Sequence, residues 1–544
     1  MKRLSKAILL GGLLVTFVSG CSGKEKAKPD KKESSSIHMM LNSELSSLNT
    51  SAILNTPDAI IHTGVFEGLY ELNEKEELVP AAAKEMPEIS KDGLTYTIKL
   101  REDGKWSNGD PVTAKDFEFA WKELIKPENA YVYSFLMFET IKNAAEINLG
   151  EKSVEELGVK ALDDYTLEVV LKEPKPFFTS LLAFSAFFPQ HQETVETYKQ
   201  EYGTSSEKAI YNGPYTIKDW DQAKTTFVLE KNKDYWNKEV VKADTIHFEV
   251  IKEPSTAFNL FESGQLDVAN LSGEMANQNK DNPNFKAYSS ATMNYIRLNQ
   301  ERQQKKTPLA NLNLRKALAL SVDKETLVNN IIADGSTVLN GAITKDFVSN
   351  PVTNKDFREE AGDVAVYKLD EAKKYFEKAK EELGDKISLE LMTVDESSYQ
   401  KMAESLQGQW QDNLDGLTVT VKSLPTETAL NLSTESDYDM FLIYWTPDYQ
   451  DPISTLNTMK SPNNRHYVSK EFDGALNEAA VTYANDLEKR WSSLIEAEKI
   501  LMEDTAGMIS LSQNANAVLQ NPDIEGLSYH TFASPISLKY VSKK

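Results

Sequence analysis

The chain has 544 residues, of which 40% are hydrophobic and 26% charged; this is a globular composition and excludes a membrane-embedded bundle or a disordered polymer. Its net charge of −23 argues against nucleic acid as a partner, because phosphate backbones need a basic face. The length holds roughly three to four domains' worth of sequence, and with one cysteine, Cys21, no internal disulfide can form.

Residues 1–20 begin with Lys2, Arg3 and Lys6, continue as an apolar run from Ala7 to Val18 and end in Ser19-Gly20. The run is too short to span a bilayer and reads as a secretory signal peptide. Val18-Ser19-Gly20-Cys21 has the form of a lipoprotein box, in which the Cys21 thiol receives a diacylglyceryl group. An ordinary signal peptide with an incidental cysteine is the plainer reading, but the chain's one cysteine falls at this spot. Lipidation would anchor the protein at the outer face of the cell membrane without spanning it. Residues 21–36 are small, charged or proline after the cysteine and read as a flexible tether.

From Ile37 the pattern becomes structural. Leu94, Tyr96, Ile98 and Leu100 alternate with polar residues as a half-buried strand does. Thr113 and Asp116 form a capping box for a helix whose Phe117, Ala120, Trp121, Leu124 and Ile125 share one apolar face. Leu167, Val169 and Leu171 alternate again, and the apolar stretch Phe177 to Phe188 reads as a buried helix. A strand pair follows the turn at Asn212-Gly213-Pro214, then a strand from Thr245 to Ile251 and a short helix from Phe258 to Asp267 ended by Gly264. Asp323 caps another helix. Asp370 to Leu383 and Tyr399 to Leu414 read as helices, Leu389 to Met392 and Leu417 to Leu424 as strands, an alternation that predicts a mostly parallel sheet. A long helix containing Leu487, Trp491 and Leu494 precedes strand-like residues 508–520.

The stretch from Tyr438 to Pro452 stands apart. Asp439 to Trp445 is aromatic and apolar enough for a strand buried on both faces, and Pro447 then stops it with Asp448 just beyond. In α/β domains the crevice opens at such strand ends, where an acid can meet a ligand. On the local sequence the plainer reading is that Asp448 and Asp451 are turn formers beside Pro447 and Pro452. Enzyme motifs are missing: the six histidines are scattered, and there is no P-loop, nucleophile elbow or helical metal motif. No metal or cofactor is expected, and no carboxylate pair singles itself out for catalysis.

Several segments in order resemble the extracellular solute-binding proteins of ABC importers, the oligopeptide and dipeptide receptor family. They are Phe66-Glu67-Gly68-Leu69-Tyr70 with Leu78-Val79-Pro80-Ala81, the run from Asp92 to Trp121, Asn212-Gly213-Pro214-Tyr215 with Tyr235-Trp236, Phe261 to Asp267, and Leu314-Arg315-Lys316-Ala317-Leu318. The likeness extends over about residues 37–540. It implies two α/β lobes of the periplasmic-binding-protein type with an extra inserted domain and a ligand cleft between the lobes. Lobe I would comprise 37–66, 206–298 and 512–544, the insert 67–205 and lobe II 299–511. The implied function is capture of extracellular oligopeptides by a monomer, with no reaction of its own, and delivery to the transmembrane subunits of an ABC importer.

The resemblance also implies residue roles. The family's Trp-x-x-Asp-Tyr segment falls on Trp445, Asp448 and Tyr449, with Asp448 against the peptide α-amino group. Main-chain groups of Leu54-Asn55-Thr56 and of Tyr444-Trp445-Thr446 would hold the peptide backbone as an added strand. Where enteric members carry an arginine six residues before the acid this chain has Leu442, and Tyr399 aligns with a histidine that can meet a peptide carboxylate. Loss of both positive charges suggests longer or more apolar peptides, and an alternative role as a receptor for hydrophobic signalling (sex-pheromone) peptides. The absence of catalytic motifs argues against a secreted hydrolase, and Asp448 argues against a scaffold for a metal chelate, haem or sugar.

Overall fold

Strand Ser36–Leu41 lies parallel to Thr245–Val250, with Ile37 opposite Ile246 and Leu41 opposite Val250. Thr226–Lys231 and Tyr215–Lys218 extend this four-stranded sheet by antiparallel pairing. The computed structural model describes residues 36–544; the expected signal peptide, Cys21 and the tether up to residue 35 lie outside the described residues, while Ser36, expected to end the tether, opens the first strand. None of the described helices is long and apolar enough to cross a membrane.

A seven-stranded sheet is built around two long neighbours, Phe285–Leu298 and Met508–Gln520. At one end of this pair, Val268–Leu271 adds to Met508–Gln520. At the other, Met440–Trp445 adds to Phe285–Leu298, and Ile387–Val394 and Leu417–Leu424 follow outward. The long pair therefore runs from one half of the molecule into the other. Its register shifts between Ser289/Met293 and again between Asn294/Tyr295, the local irregularity by which a ladder bends. The sheet is mixed, not mostly parallel: only Ile387–Val394 pairs in parallel with its two neighbours, because the long strands run back against each other.

Residues 67–205 carry a separate antiparallel sheet in the order Glu88–Ile89, Thr95–Lys99, Thr166–Val170, Val159–Asp163. Helix Ala114–Ile125 begins at the expected capping box, where the Thr113 amide donates to Asp116 Oδ2 at 2.7 Å. Its Phe117, Ala120, Trp121 and Leu124 are buried, and the Trp121 indole donates to the Phe187 carbonyl at 2.9 Å. Phe177 to Phe188 does not form the single helix expected. It breaks into Phe178–Leu181 and a 3₁₀ turn at Ser185–Phe187, since its aromatics pack in several directions: Phe187 meets Trp121, Phe184 meets Tyr133 and Phe177 meets Tyr449. The helix expected near Phe258 starts earlier, as Pro254–Glu262, with proline in its first turn.

The Phe66-Glu67-Gly68 motif proves to be a junction. Glu67 accepts from the Trp236 indole at 2.7 Å and pairs with buried Lys539 at 3.3 Å, and Tyr235 hydrogen-bonds to it as well. A Cβ on Gly68 would sit 2.4 Å from the Phe188 ring, and one on Gly213 would sit 2.6 Å from the Phe66 amide. Close approach of backbone to neighbour explains glycine at both places.

Candidate functional site

Met440, Phe441, Leu442 and Ile443 are buried, as the apolar run predicts, whereas Tyr444 is 48% exposed and Trp445 half-buried. The two edges of this strand differ. On one side Phe285–Leu298 pairs with it as far as Met293 opposite Trp445. On the other, Ile387–Val394 pairs only with Met440–Leu442, ending at Thr393 opposite Leu442. The edge at Ile443 to Trp445 is thus free of a strand partner among the described residues, a main-chain surface open to an added strand.

Past Pro447 the two acids diverge. Asp451 caps helix Pro452–Leu456 through the Ile453 amide at 2.9 Å, and both its oxygens accept from Arg490 Nη2, at 2.8 and 2.7 Å. Its charge is therefore spent on structure. The Asp448 amide donates to Ser454 Oγ at 2.8 Å, which fixes the turn, while its carboxylate has no hydrogen bond or ion pair among the described residues. Burial, with the Glu139 carboxylate adding to it, pushes the Asp448 carboxyl up to about 6. An acid in this state is poised to take a cation, which would repay its desolvation.

The surroundings come from 67–205 and were not foreseen. The Tyr449 ring stacks on Phe177 with centroids 4.2 Å apart and planes 13° apart. Burial raises the Tyr133 hydroxyl, and the Asp448 charge raises it further, so the phenol faces the acid. Tyr449 is raised by burial, then by Asp451, Glu139 and Asp448. The Tyr131-Val132-Tyr133 segment carries no local pattern that separates a ligand-facing aromatic from a core one, and Glu139 is one acid among 83.

The other expected residues are placed as follows. Trp445 Nε1 donates to Thr455 Oγ1 at 3.2 Å and Thr446 Oγ1 lies 2.8 Å from Thr292 Oγ1, which orients both at the open strand end. Tyr399 is buried beside Tyr444 with ring centroids 6.5 Å apart, and its hydroxyl donates to Asn294 Oδ1 at 2.8 Å. Burial raises that hydroxyl, as do Glu396, Tyr444 and Asp334, so acids and not cations face it. Leu442 is fully buried and offers no surface to a ligand: its side chain lies inside the strand's packed core. Leu54 is 63% exposed, but its amide donates to Asp58 Oδ2 at 2.9 Å. Asn55 accepts from the Asp58 amide as the cap of helix Thr56–Val65. The Leu54 amide is thus already engaged, and no hydrogen bond joins this segment to 444–449 among the described residues.

No group of three or more His, Cys, Asp or Glu side chains among the described residues is arranged to hold a metal. What the site offers is an unpartnered acid, a second carboxylate, aromatic walls and an open β edge.

Comparison with known proteins gives the same direction. The model of the bacterial extracellular solute-binding proteins, family 5 middle, matches residues 77–467. The chain is 32% identical to the dipeptide-binding protein of Lactococcus lactis subsp. cremoris (strain MG1363), over 98% of each chain. It is 29% identical to the oligopeptide-binding protein OppA of Bacillus subtilis (strain 168), over 93% of each. Among solved structures, Listeria monocytogenes OppA bound to peptide aligns with a TM-score of 0.75 at 35% identity, covering 94% of this chain and 100% of that one. The pheromone receptor PrgZ aligns with a TM-score of 0.75 at 33% identity, with the same coverage.

Proposed function

The chain belongs to the bacterial extracellular solute-binding proteins of family 5, and from that premise we propose that it captures oligopeptides outside the cell and delivers them to the permease of an ABC importer. It does so by binding and closure and not by catalysis: a ligand that bridges two lobes stabilises the closed form the permease reads. In this reading the lobes are about 37–66 with 206–298 and 512–544, and 299–511, with 67–205 inserted, acting as a monomer. The long pair Phe285–Leu298 and Met508–Gln520 would be the connection about which they close. Cys21, acylated, would hold the receptor at the membrane surface.

The observation that carries the peptide reading is the pairing of an unpartnered Asp448 with an open strand edge at Ile443 to Trp445. A peptide main chain laid on that edge would gain hydrogen bonds without its side chains being read, and its ammonium group would find the acid. The acids around Tyr399 disfavour a carboxylate there, which supports a peptide that continues past this point. The likeness to the pheromone receptor favours hydrophobic signalling peptides as a second reading, although buried Leu442 lends it nothing.

Native mass spectrometry of the purified protein, followed by release and sequencing of what it carries, tests this. A mixture of peptides with free N-termini is expected. A single apolar peptide would favour the signalling role, and a non-peptide solute would overturn the reading.

A further inference from the structure

Side chains alternate along a strand, so the face of Phe285–Leu298 opposite Asn294 presents Tyr295 and Arg297. Arg297 Nε donates to Tyr295 Oη at 2.7 Å and its Nη1 to Ser433 Oγ at 2.9 Å. Arg465 reaches the same phenol through Nη2 at 3.4 Å, and its Nη1 donates to the Thr458 carbonyl at 2.6 Å. Tyr295, Tyr438 and Arg465 are all buried, with 2%, 0% and 5% exposure. Two buried polar groups in the cluster have no hydrogen-bond partner: Arg465 Nε and the Tyr438 hydroxyl. The Tyr438 phenol is raised by burial and lowered by the fields of Arg465 and Arg297 and by the neighbouring Ser433 hydroxyl, which is close to it but makes no hydrogen bond of normal geometry.

The charge is unbalanced. Arg101, Arg302, Arg358 and Arg490 each pair with a carboxylate; Arg297, Arg315 and Arg465 do not among the described residues, and of these Arg315 is held instead by the carbonyls of Leu309, Ala310 and Thr505. In a chain with 83 acidic and 60 basic side chains, the partner in surplus is the one withheld. Two guanidinium groups sharing a buried phenol, with spare N–H and O–H donors and no acid, are costly unless a negative charge joins them.

We propose that this cluster binds a small monovalent anion of the halide class, chloride in solution, between the Arg465 Nε–H, the Tyr438 hydroxyl and the remaining N–H groups of Arg297. A spherical, single-atom anion suits guanidinium and phenol donors, which impose no fixed geometry on it, and the burial of Tyr295 and Tyr438 disfavours a bulky oxyanion. Because Tyr295 lies opposite Ile443 in the ladder, the anion braces the strand that leads to Asp448 from the face away from Tyr399. The site is independent of the peptide reading.

Crystals grown with sodium bromide test it by anomalous scattering. A bromide peak within hydrogen-bonding distance of Arg465 Nε and Tyr438 Oη is expected; a water or an empty position there overturns the proposal. In solution, at constant ionic strength, replacing gluconate with chloride raises Tm by about 1–3 °C per tenfold chloride, and Arg465→Gln removes that dependence. An equal response in both proteins, or a phenolate absorbance at neutral pH that Tyr295→Phe abolishes, also overturns it, since Tyr295 would then supply the negative charge itself.

Discussion

The Tyr449 ring lies flat on Phe177, 4.2 Å between centroids, one residue from the unpartnered Asp448. The stack joins the loop after strand Met440–Trp445 to the 67–205 segment, so the position of the acid depends on a partner more than 270 residues away in sequence. Aromatic pairs of this kind contribute about 0.5–1.5 kcal/mol beyond the area they bury. Phe177→Leu and Tyr449→Leu should each weaken peptide binding by about 2- to 10-fold, and a double-mutant cycle should show coupling of about 0.5–1.5 kcal/mol. Additive effects would mean that the rings only fill space.

Asp448→Asn keeps the shape and removes the charge. Peptides with a free N-terminus should lose about 2–5 kcal/mol of binding free energy, as when one member of a desolvated charge pair is neutralised. N-acetylated peptides should lose much less. Calorimetry with one peptide in both forms decides the matter: equal losses would remove Asp448 as the amine partner.

Binding should also depend on pH. Burial, then Glu139, raises the Asp448 carboxyl from its ordinary 3.8 to about 6. In the folded, peptide-free protein the proton is therefore held more tightly than in the unfolded chain. The cost of ionising Asp448 is absent below about pH 3.8, grows through the interval and is complete above about 6. A bound ammonium group offsets it, so peptide affinity should be level above pH 6 and fall by up to about tenfold per unit below it. Tm shifts caused by peptide should shrink over the same range, and Asp448→Asn should flatten the profile. A profile unchanged by that substitution would assign the titration elsewhere.

Glu139→Gln removes the second carboxylate. The Asp448 carboxyl should move down while burial keeps it above 3.8. Affinity at pH 7.5 should fall only about 2- to 5-fold, the scale of an exposed charge, and the loss should fade in high salt. Peptides beginning with lysine should lose most. Identical losses for lysine- and alanine-led peptides would show that Glu139 does not meet the first side chain.

The buried pair between Arg490 and Asp451 ties the same loop to helix Leu487–Lys499. Both side chains are almost wholly enclosed, so Arg490→Ala strands a buried carboxylate and should cost about 3–5 kcal/mol of stability in urea unfolding. Removing both charges together, Asp451→Leu with Arg490→Met, should cost much less. A double variant as unstable as the single one would locate the loss in packing.

Much of the molecule was legible in the order of its residues. The capping box at Thr113 and Asp116, the strand expected from Asp439, which begins one residue later at Met440, and the helix starting near Tyr399 depend on neighbours within a few positions, and they appear close to where the pattern puts them. The family-wide motifs also identified the two-lobed α/β fold, and two of them encode tight packing junctions, Gly68 against Phe188 and Gly213 against Phe66. Local pattern failed where apolar residues face several directions at once. Phe177 to Phe188 reads as a helix by composition, yet its rings are claimed by Trp121, Tyr133 and Tyr449 on different sides.

The sequence alone determined that Asp448 follows a buried strand at a proline stop, since apolar run, proline and acid are contiguous. It could not separate Asp448 from Asp451, three residues on and just as acidic. Tertiary structure decided between them by bringing Arg490 to one and leaving the other without a cation, beside Tyr133 and Glu139. The physical reason is that a carboxylate's availability depends on which charges lie within a few ångströms of it, and those charges come from segments that only the fold brings together.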